Sequence, residues 1–283
     1  MADSKEKVQE MQKIISEAQE NSSIPETKKD NNVPIMFDEL KLYFREPFVV
    51  NKFITIYQPT VGDIVSRGET SVYASINPFV TNPTTYRLEL WEQGDDWNKI
   101  SDYDFFLAMR KSLTPKETQL VFGGYDFSVL HYAKRIEDEA IVLANDDGEI
   151  VIDEQIYTLM CKYIRMMFSQ SPKVERIKGK YAKEAVIEDE KKKRALRKKT
   201  AGESVLMPLI SAMINHPGFK YDVNTLKDIG IYAFMDSVRR IQVYESSRAL
   251  MSGMYSGMLD TSKIDTKTEL NWLRDLQDGI TLD

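Results

Sequence analysis

Chemistry-bearing side chains are scarce in this sequence. Its 283 residues include one cysteine, Cys161, and two histidines, His131 and His216. One thiol excludes an intrachain disulfide, and these side chains do not share the spacing of a zinc site. Cys161 lies inside the apolar helical run "IYTLMCKYIRMMF". That setting suits a small buried thiol better than a nucleophile. The phosphate loop G-x-x-x-x-G-K-[ST], the dinucleotide fingerprint G-x-G-x-x-G, the nucleophile elbow G-x-S-x-G and the zinc motif H-E-x-x-H are all missing. The residues therefore predict no catalytic site, no cofactor and no metal, and the chain reads as a non-enzyme.

Long apolar runs are also lacking. No stretch approaches the ~18 apolar residues of a membrane-spanning helix, so no membrane contact is expected. The opening "MADSKEKVQEMQ" is charged from Lys5 onward and has no apolar core of a signal peptide. With the lone cysteine, this points to a reducing cytoplasm.

What remains is an ordinary globular composition, 42% hydrophobic and 29% charged, with a formal net charge of −6. An acidic whole argues against a protein that coats nucleic acid.

Periodicity and turn signals predict an α+β fold, predominantly α. Small antiparallel strand and hairpin elements are expected in the N-terminal half, and a helical C-terminal half. Residues 1–35 read as a flexible N-terminal arm with a short helix bearing Val8, Met11, Ile15 and Ala18 on one face. The polar, proline-bracketed "NSSIPETKKDNNVP" then acts as a linker.

Residues 36–170 read as a mixed domain. "FVVNKFITIY" reads as a strand. Thr60 and Asp63 form a capping box for a helix that turns Ile64, Val65 and Val72 inward. Asn77-Pro78 and Asn82-Pro83 mark a break. Ser101 or Asp102 starts a helix carrying Phe105, Phe106 and Met109. Thr114, Pro115 and Glu117 start another, which Gly123-Gly124 end. "YDFSVLHYAKRI" and "EAIVLANDDGEIVIDEQI" read as strands with a hairpin turn at Asp147-Gly148. A calcium loop there fails, because its first ligand position would be Leu143.

From Asp153 the pattern is helical, with Ile156, Leu159, Met160, Tyr163, Ile164 and Met167 at helical spacing. Residues 171–203 read as an exposed, charged helical connector, and 204–283 as a helical C-terminal region. In that region a helix is expected to bend near Pro208 and end before Pro217. Ile231, Phe234, Met235, Val238 and Ile241 share the stripe of a longer one, and "ELNWLRDL" reads as a last short helix.

The basic stretch "EDEKKKRALRKKT" raises the question of nucleic acid. Lys173 to Glu203 carries twelve Lys or Arg against six Asp or Glu. Yet Glu188 and Lys192, Asp189 and Lys193, and Glu190 and Arg194 stand four apart with the acid first, the favourable helical order. Tyr181 is the one aromatic between Val174 and Val205, too few for base stacking. A solvated helix is the expected state and nucleic acid is not an expected partner. Lys191, Lys192, Lys193, Arg194, Arg197, Lys198 and Lys199 remain candidates for electrostatic contact with an acidic protein surface. The acid clusters "DYD" and "EDE" read as charged surface.

Met207, Met213, Met235, Met251, Met254 and Met258 fall in the last third of the chain. Methionine adapts to varied apolar partners, so a client-binding surface competes here with simple core filling. Core packing is expected up to about Tyr244. Leu250, Met251, Met254, Tyr255, Met258 and Leu259 are the candidate client-binding residues.

Three segments carry a resemblance. "ITIYQPTVGDIV", "PLISAMINHPGFKYDVNTLKDIGIYAFMDSVRRIQVY" and "LNWLRDL" resemble the phage tail assembly chaperones, or a neighbouring structural protein of long-tailed phages. The resemblance implies a non-enzymatic role: keeping the helical tape-measure protein soluble while tail tube subunits assemble around it. The implied partners are the tape-measure protein and the tail tube protein, with self-association as a further contact. The implied location is the host cell cytoplasm, or the virion if the protein stays in the particle.

Overall fold

The computed structural model describes residues 37–197, 204–257, 264–274 and 276. The expected arm over 1–35 lies outside them, as do Lys198, Lys199, Met258 and Leu259. The fold is α+β and mostly helical, with two small antiparallel sheets.

The chain enters through α1 (Glu39–Tyr43), whose N-cap Asp38 accepts from Leu40 N–H. β1 (Phe48–Val49) and β2 (Thr55–Ile56) then form a hairpin. The expected single strand is therefore folded on itself. Asn51 explains this: its Oδ1 accepts from the N–H groups of Phe53 and Ile54, which shapes the turn. Its Nδ2 donates to Val151 O at 2.8 Å and ties the hairpin to the second sheet.

α2 (Val61–Arg67) begins with the predicted Thr60–Asp63 capping box and stops at Gly68, at φ 92°. Its Ile64 is fully buried, and so is Val72 on the next helix, but Val65 is 64% exposed. Val65 follows Ile64 directly and so points about 100° away around the helix. α3 (Glu69–Val80) runs through Pro78, contrary to the expected break at Asn77-Pro78. Proline removes one helical hydrogen bond there. Phe79 compensates, enclosed against Phe106 and Phe122 at ring centroid distances of 5.4 and 5.2 Å. The helix ends at Thr81, ahead of Asn82-Pro83.

α4 (Arg87–Gln93), α5 (Asp102–Met109, capped by Ser101) and α6 (Pro115–Phe122, capped by Thr114) follow. β3 (His131–Lys134), β4 (Ile141–Ala144) and β5 (Ile150–Ile152) form an antiparallel sheet in sequence order. The β4–β5 connection turns at Asp147-Gly148 as expected, with Gly148 at φ 76°. The start of "YDFSVLHYAKRI" is a 3-10 turn over Phe127–Val129 rather than strand.

α7 (Glu154–Phe168) is the central helix, packed on α3 and on α10 (Ile231–Tyr255). α8 (Lys180–Arg197), α9 (Leu206–Ile214) and α11 (Thr266–Glu269) complete the order. Pro208 sits in the first turn of α9, where its missing N–H has no helical acceptor to lose. The last helix precedes the expected "ELNWLRDL". Asp265 caps it, and the chain turns after Glu269 because Arg240 Nη1 donates to both Trp272 O and Arg274 O at 2.8 Å.

One apolar core runs from Leu42 to Val238 and includes Met160, Ile164, Ile231 and Phe234. A second cluster gathers Leu88, Trp97, Phe105 and Ile187. The start of α10 is stitched to the N-terminal half. Val61 N–H donates to Ile229 O, Ile231 N–H to Pro59 O, and Tyr232 N–H to Gln58 Oε1. This junction anchors the start of α10.

Candidate functional site

Two features of α10 stand out: a cleft along its first half and an exposed stripe along its second. The cleft lies against α7. Asp153 caps α7 by accepting from Ile156 N–H, and the capped helix presents Tyr157, Cys161 and Arg165 at four-residue intervals. These line a cavity of about 430 Å³, closed on the other side by Tyr232 and Arg239.

Most of these side chains are already engaged. Arg165 Nε donates to Phe79 O at 2.9 Å and its Nη2 to Thr81 O at 3.2 Å, so it closes the C-terminal end of α3. Asp102 Oδ2 lies 3.8 Å from the same guanidinium. Burial pushes the Cys161 thiol up to about 12, which keeps it protonated and unreactive at neutral pH. Burial likewise raises Tyr157, whose ring packs on Phe106 at 4.6 Å. The Tyr157 hydroxyl has the Cys161 thiol, a weak hydrogen-bonding group, as its neighbour. Ser169 Oγ and Arg239 Nε are buried atoms without a partner. Arg239 Nη1 donates to Leu276 O at 3.2 Å.

These cleft residues were not legible as a site. Tyr157 and Ser169 sit in an apolar run and a helix terminus. Only the Arg239-Arg240 pair, interrupting an apolar stripe, offered a signal.

The second feature divides the six candidate client-binding residues. Met251 and Tyr255 lie on one face of α10, 43% and 88% exposed. Tyr244, seven residues before Met251, continues that face at 42% exposure. Trp272 packs edge-on against Tyr244 at 5.7 Å and widens the stripe. Leu250 and Met254 are half-buried on the neighbouring face. Among the other methionines, Met213 and Met235 are buried, whereas Met207 is 61% exposed.

The basic stretch is not the freely solvated helix expected. Ile187 is 1% exposed, locked into the second cluster. Arg87, its side chain 9% exposed, pairs with Glu175 and Glu190 at 2.6 Å each. Lys183 pairs with Asp96 at 2.6 Å and holds that carboxyl below its usual range. Of the three expected pairs, Asp189–Lys193 forms at 2.8 Å. Glu188 takes Lys191 instead of Lys192, and Glu190 turns inward to Arg87. Arg194 reaches Glu89 and Glu92 of α4 at 3.8 and 3.6 Å. A buried arginine needs carboxylates, and α8 supplies one, so the "EDE" cluster is partly internal. Lys191, Lys192, Lys193 and Arg194 are exposed, while the side chain of Arg197 lies outside the description.

Residues 198–277 match the family model described as the YomV second domain, a phage-derived family. The match spans α9, α10 and α11, and so includes the exposed stripe. No curated protein and no solved structure gives a match.

Proposed function

We propose that this chain is a non-enzymatic phage assembly protein that holds a helical client on the far half of α10. The specific reading is a tail assembly chaperone whose client is the tape-measure protein. One observation carries it: an exposed stripe of Tyr244, Met251 and Tyr255 within the stretch that matches a phage-derived family. A helical client offers apolar residues at three- and four-residue spacing, and such a stripe accepts them lengthwise. The resemblance of three segments to tail assembly chaperones supports the same choice.

The same stripe would also serve a permanent neighbour in the particle, which is the role of a structural virion protein. Mass spectrometry of purified virions against infected-cell lysate separates the two. A chaperone is depleted from the particle relative to tail tube protein; a fixed copy number per virion contradicts the chaperone reading. Nucleic acid is disfavoured because the cations of α8 answer neighbouring carboxylates.

A further inference from the structure

We propose that residues 277–283 form an extended strap that seats Ile280 and Leu282 in the groove between α1 and the start of α10. The first argument is the path of the chain that leads there. Ser247 Oγ donates to Glu269 O at 2.6 Å, and Trp272 packs on Tyr244. Arg240 Nη1 donates to Trp272 O and Arg274 O at 2.8 Å, and Arg239 Nη1 donates to Leu276 O at 3.2 Å. Later residues of this segment thus meet successively earlier residues of α10. The segment runs antiparallel to the helix, toward its N-terminus. At Leu276 it reaches the groove, which Leu276 lines together with Leu40, Tyr43, Tyr232 and Arg240.

The second argument is the surface ahead. Leu40, Tyr43 and Phe44 stand at three- and four-residue spacing and are 65%, 42% and 70% exposed. Leu42, on the other side of α1, is fully buried in the core. A helix that is apolar on both sides calls for cover on both. The Tyr43 ring meets Tyr232 edge-on at 6.1 Å and Phe44 at 6.0 Å, so the apolar wall is continuous. Glu39 and Asp236 balance Arg239 and Arg240 around the groove, so apolar fit decides what enters. The hollow measures about 270 Å³. One turn of α-helix, about 10 Å wide and 5.4 Å long, exceeds that volume, whereas two aliphatic side chains from an extended segment do not.

The third argument is reach and pattern. Tyr232 precedes Arg239 by seven residues, about 10 Å along α10. An extended chain covers that distance in three or four residues at about 3.3 Å each. Continued from Leu276, it brings Ile280 beside Tyr232 and Tyr43. Leu282, two residues on, points to the same side of an extended chain and falls toward Leu40. Within "QDGITLD" these are the two large apolar residues. The segment lies outside the described residues, and the family match stops at residue 277. Such a strap clamps α1 onto α10 and leaves Met251 and Tyr255 exposed.

The test uses the full chain with p-benzoylphenylalanine in place of Ile280. Irradiation and peptide mass spectrometry should find the cross-link on residues 39–44 or 232–240, within the monomer. Hydrogen exchange gives a second readout. Ile280→Asp combined with Leu282→Asp should speed exchange of the Leu42 and Phe44 amides about fivefold or more and leave α7 unchanged. Cross-links elsewhere, or none, overturn the proposal. Cross-links confined to a covalent dimer give the groove to a second copy and also overturn it. So does α1 exchange unchanged by the two substitutions. Faster α1 exchange on deleting residues 1–30, but not with the substitutions, would assign the groove to the N-terminal arm instead.

Discussion

Gly230, the N-cap of α10, stands where three parts of the chain meet. Its φ of −65° suits any residue, so its conformation does not demand glycine. Its surroundings do. A Cβ there would run into Gln58 Oε1 and come within 2.7 Å of Arg45 Cγ and Cδ. Gln58 cannot swing away cheaply, because its Nε2 donates to Leu42 O at 2.6 Å and its Oε1 accepts from Tyr232 N–H. Gly230→Ala should therefore lower stability by about 1–3 kcal/mol, read as a shift in urea midpoint. An unchanged midpoint would mean that the junction yields. Phe234, fully buried one turn on, should cost about 3–5 kcal/mol as Phe234→Ala in the same assay. Cys161 gives a chemical test at this scale. Its thiol pKa rises from 9.0 to about 12 on folding, so the folded state holds the proton more tightly. The associated stability is complete below pH 9 and declines as pH climbs from 9 toward about 12. Iodoacetamide at pH 8 should label the native thiol far more slowly than the urea-unfolded one. Equal rates would contradict its burial.

Among the elements, α8 separates a docked face from a solvated one. Arg87 is the anchor, and breaking a buried ion pair costs about 3–5 kcal/mol when one charge is stranded. Glu175 is 46% exposed, so water offsets part of that loss. Arg87→Met should cost about 2–3 kcal/mol and expose α8 amides to hydrogen exchange, while α7 stays protected. Protection of α8 unchanged from the parent would remove the anchor from the account. On the other face, Lys191, Lys192 and Lys193 together changed to Gln should leave the urea midpoint nearly unchanged. A steeply salt-dependent affinity for DNA or RNA in the parent, lost in that variant, would restore the nucleic-acid reading. The same contrast explains what the sequence made legible. Helix starts at Thr60, Ser101 and Thr114 and the turn at Asp147-Gly148 are local chemistry, decided within a few residues. The continuation through Pro78 and the docking of α8 depend on Phe106 and Arg87, which are distant in sequence. Local propensity carries no record of such partners.

For the whole molecule, α10 joins a buried beginning to an exposed end. Of the periodic stripe Ile231, Phe234, Met235, Val238 and Ile241, the first four are buried and Ile241 is half-buried, so core packing ends before the expected Tyr244. The exposed half was legible only as a change in composition, methionine and glycine after Leu250. The Tyr244–Trp272 contact that widens the stripe requires α11 to fold back, which no sequence pattern showed. The cleft was less legible still, since its lining comes from α7, its C-terminal cap and α10. The central claim is that the far half of α10 holds a helical client, and co-expression with the tape-measure protein tests it most directly. Met251→Asp combined with Tyr255→Asp places two charges on exposed positions, so the unfolding free energy from urea titration should stay within about 1 kcal/mol of the parent. The parent chain should keep the tape-measure protein soluble and co-purify with it, and the double variant should lose both effects. A folded double variant that still retains the client would contradict the claim.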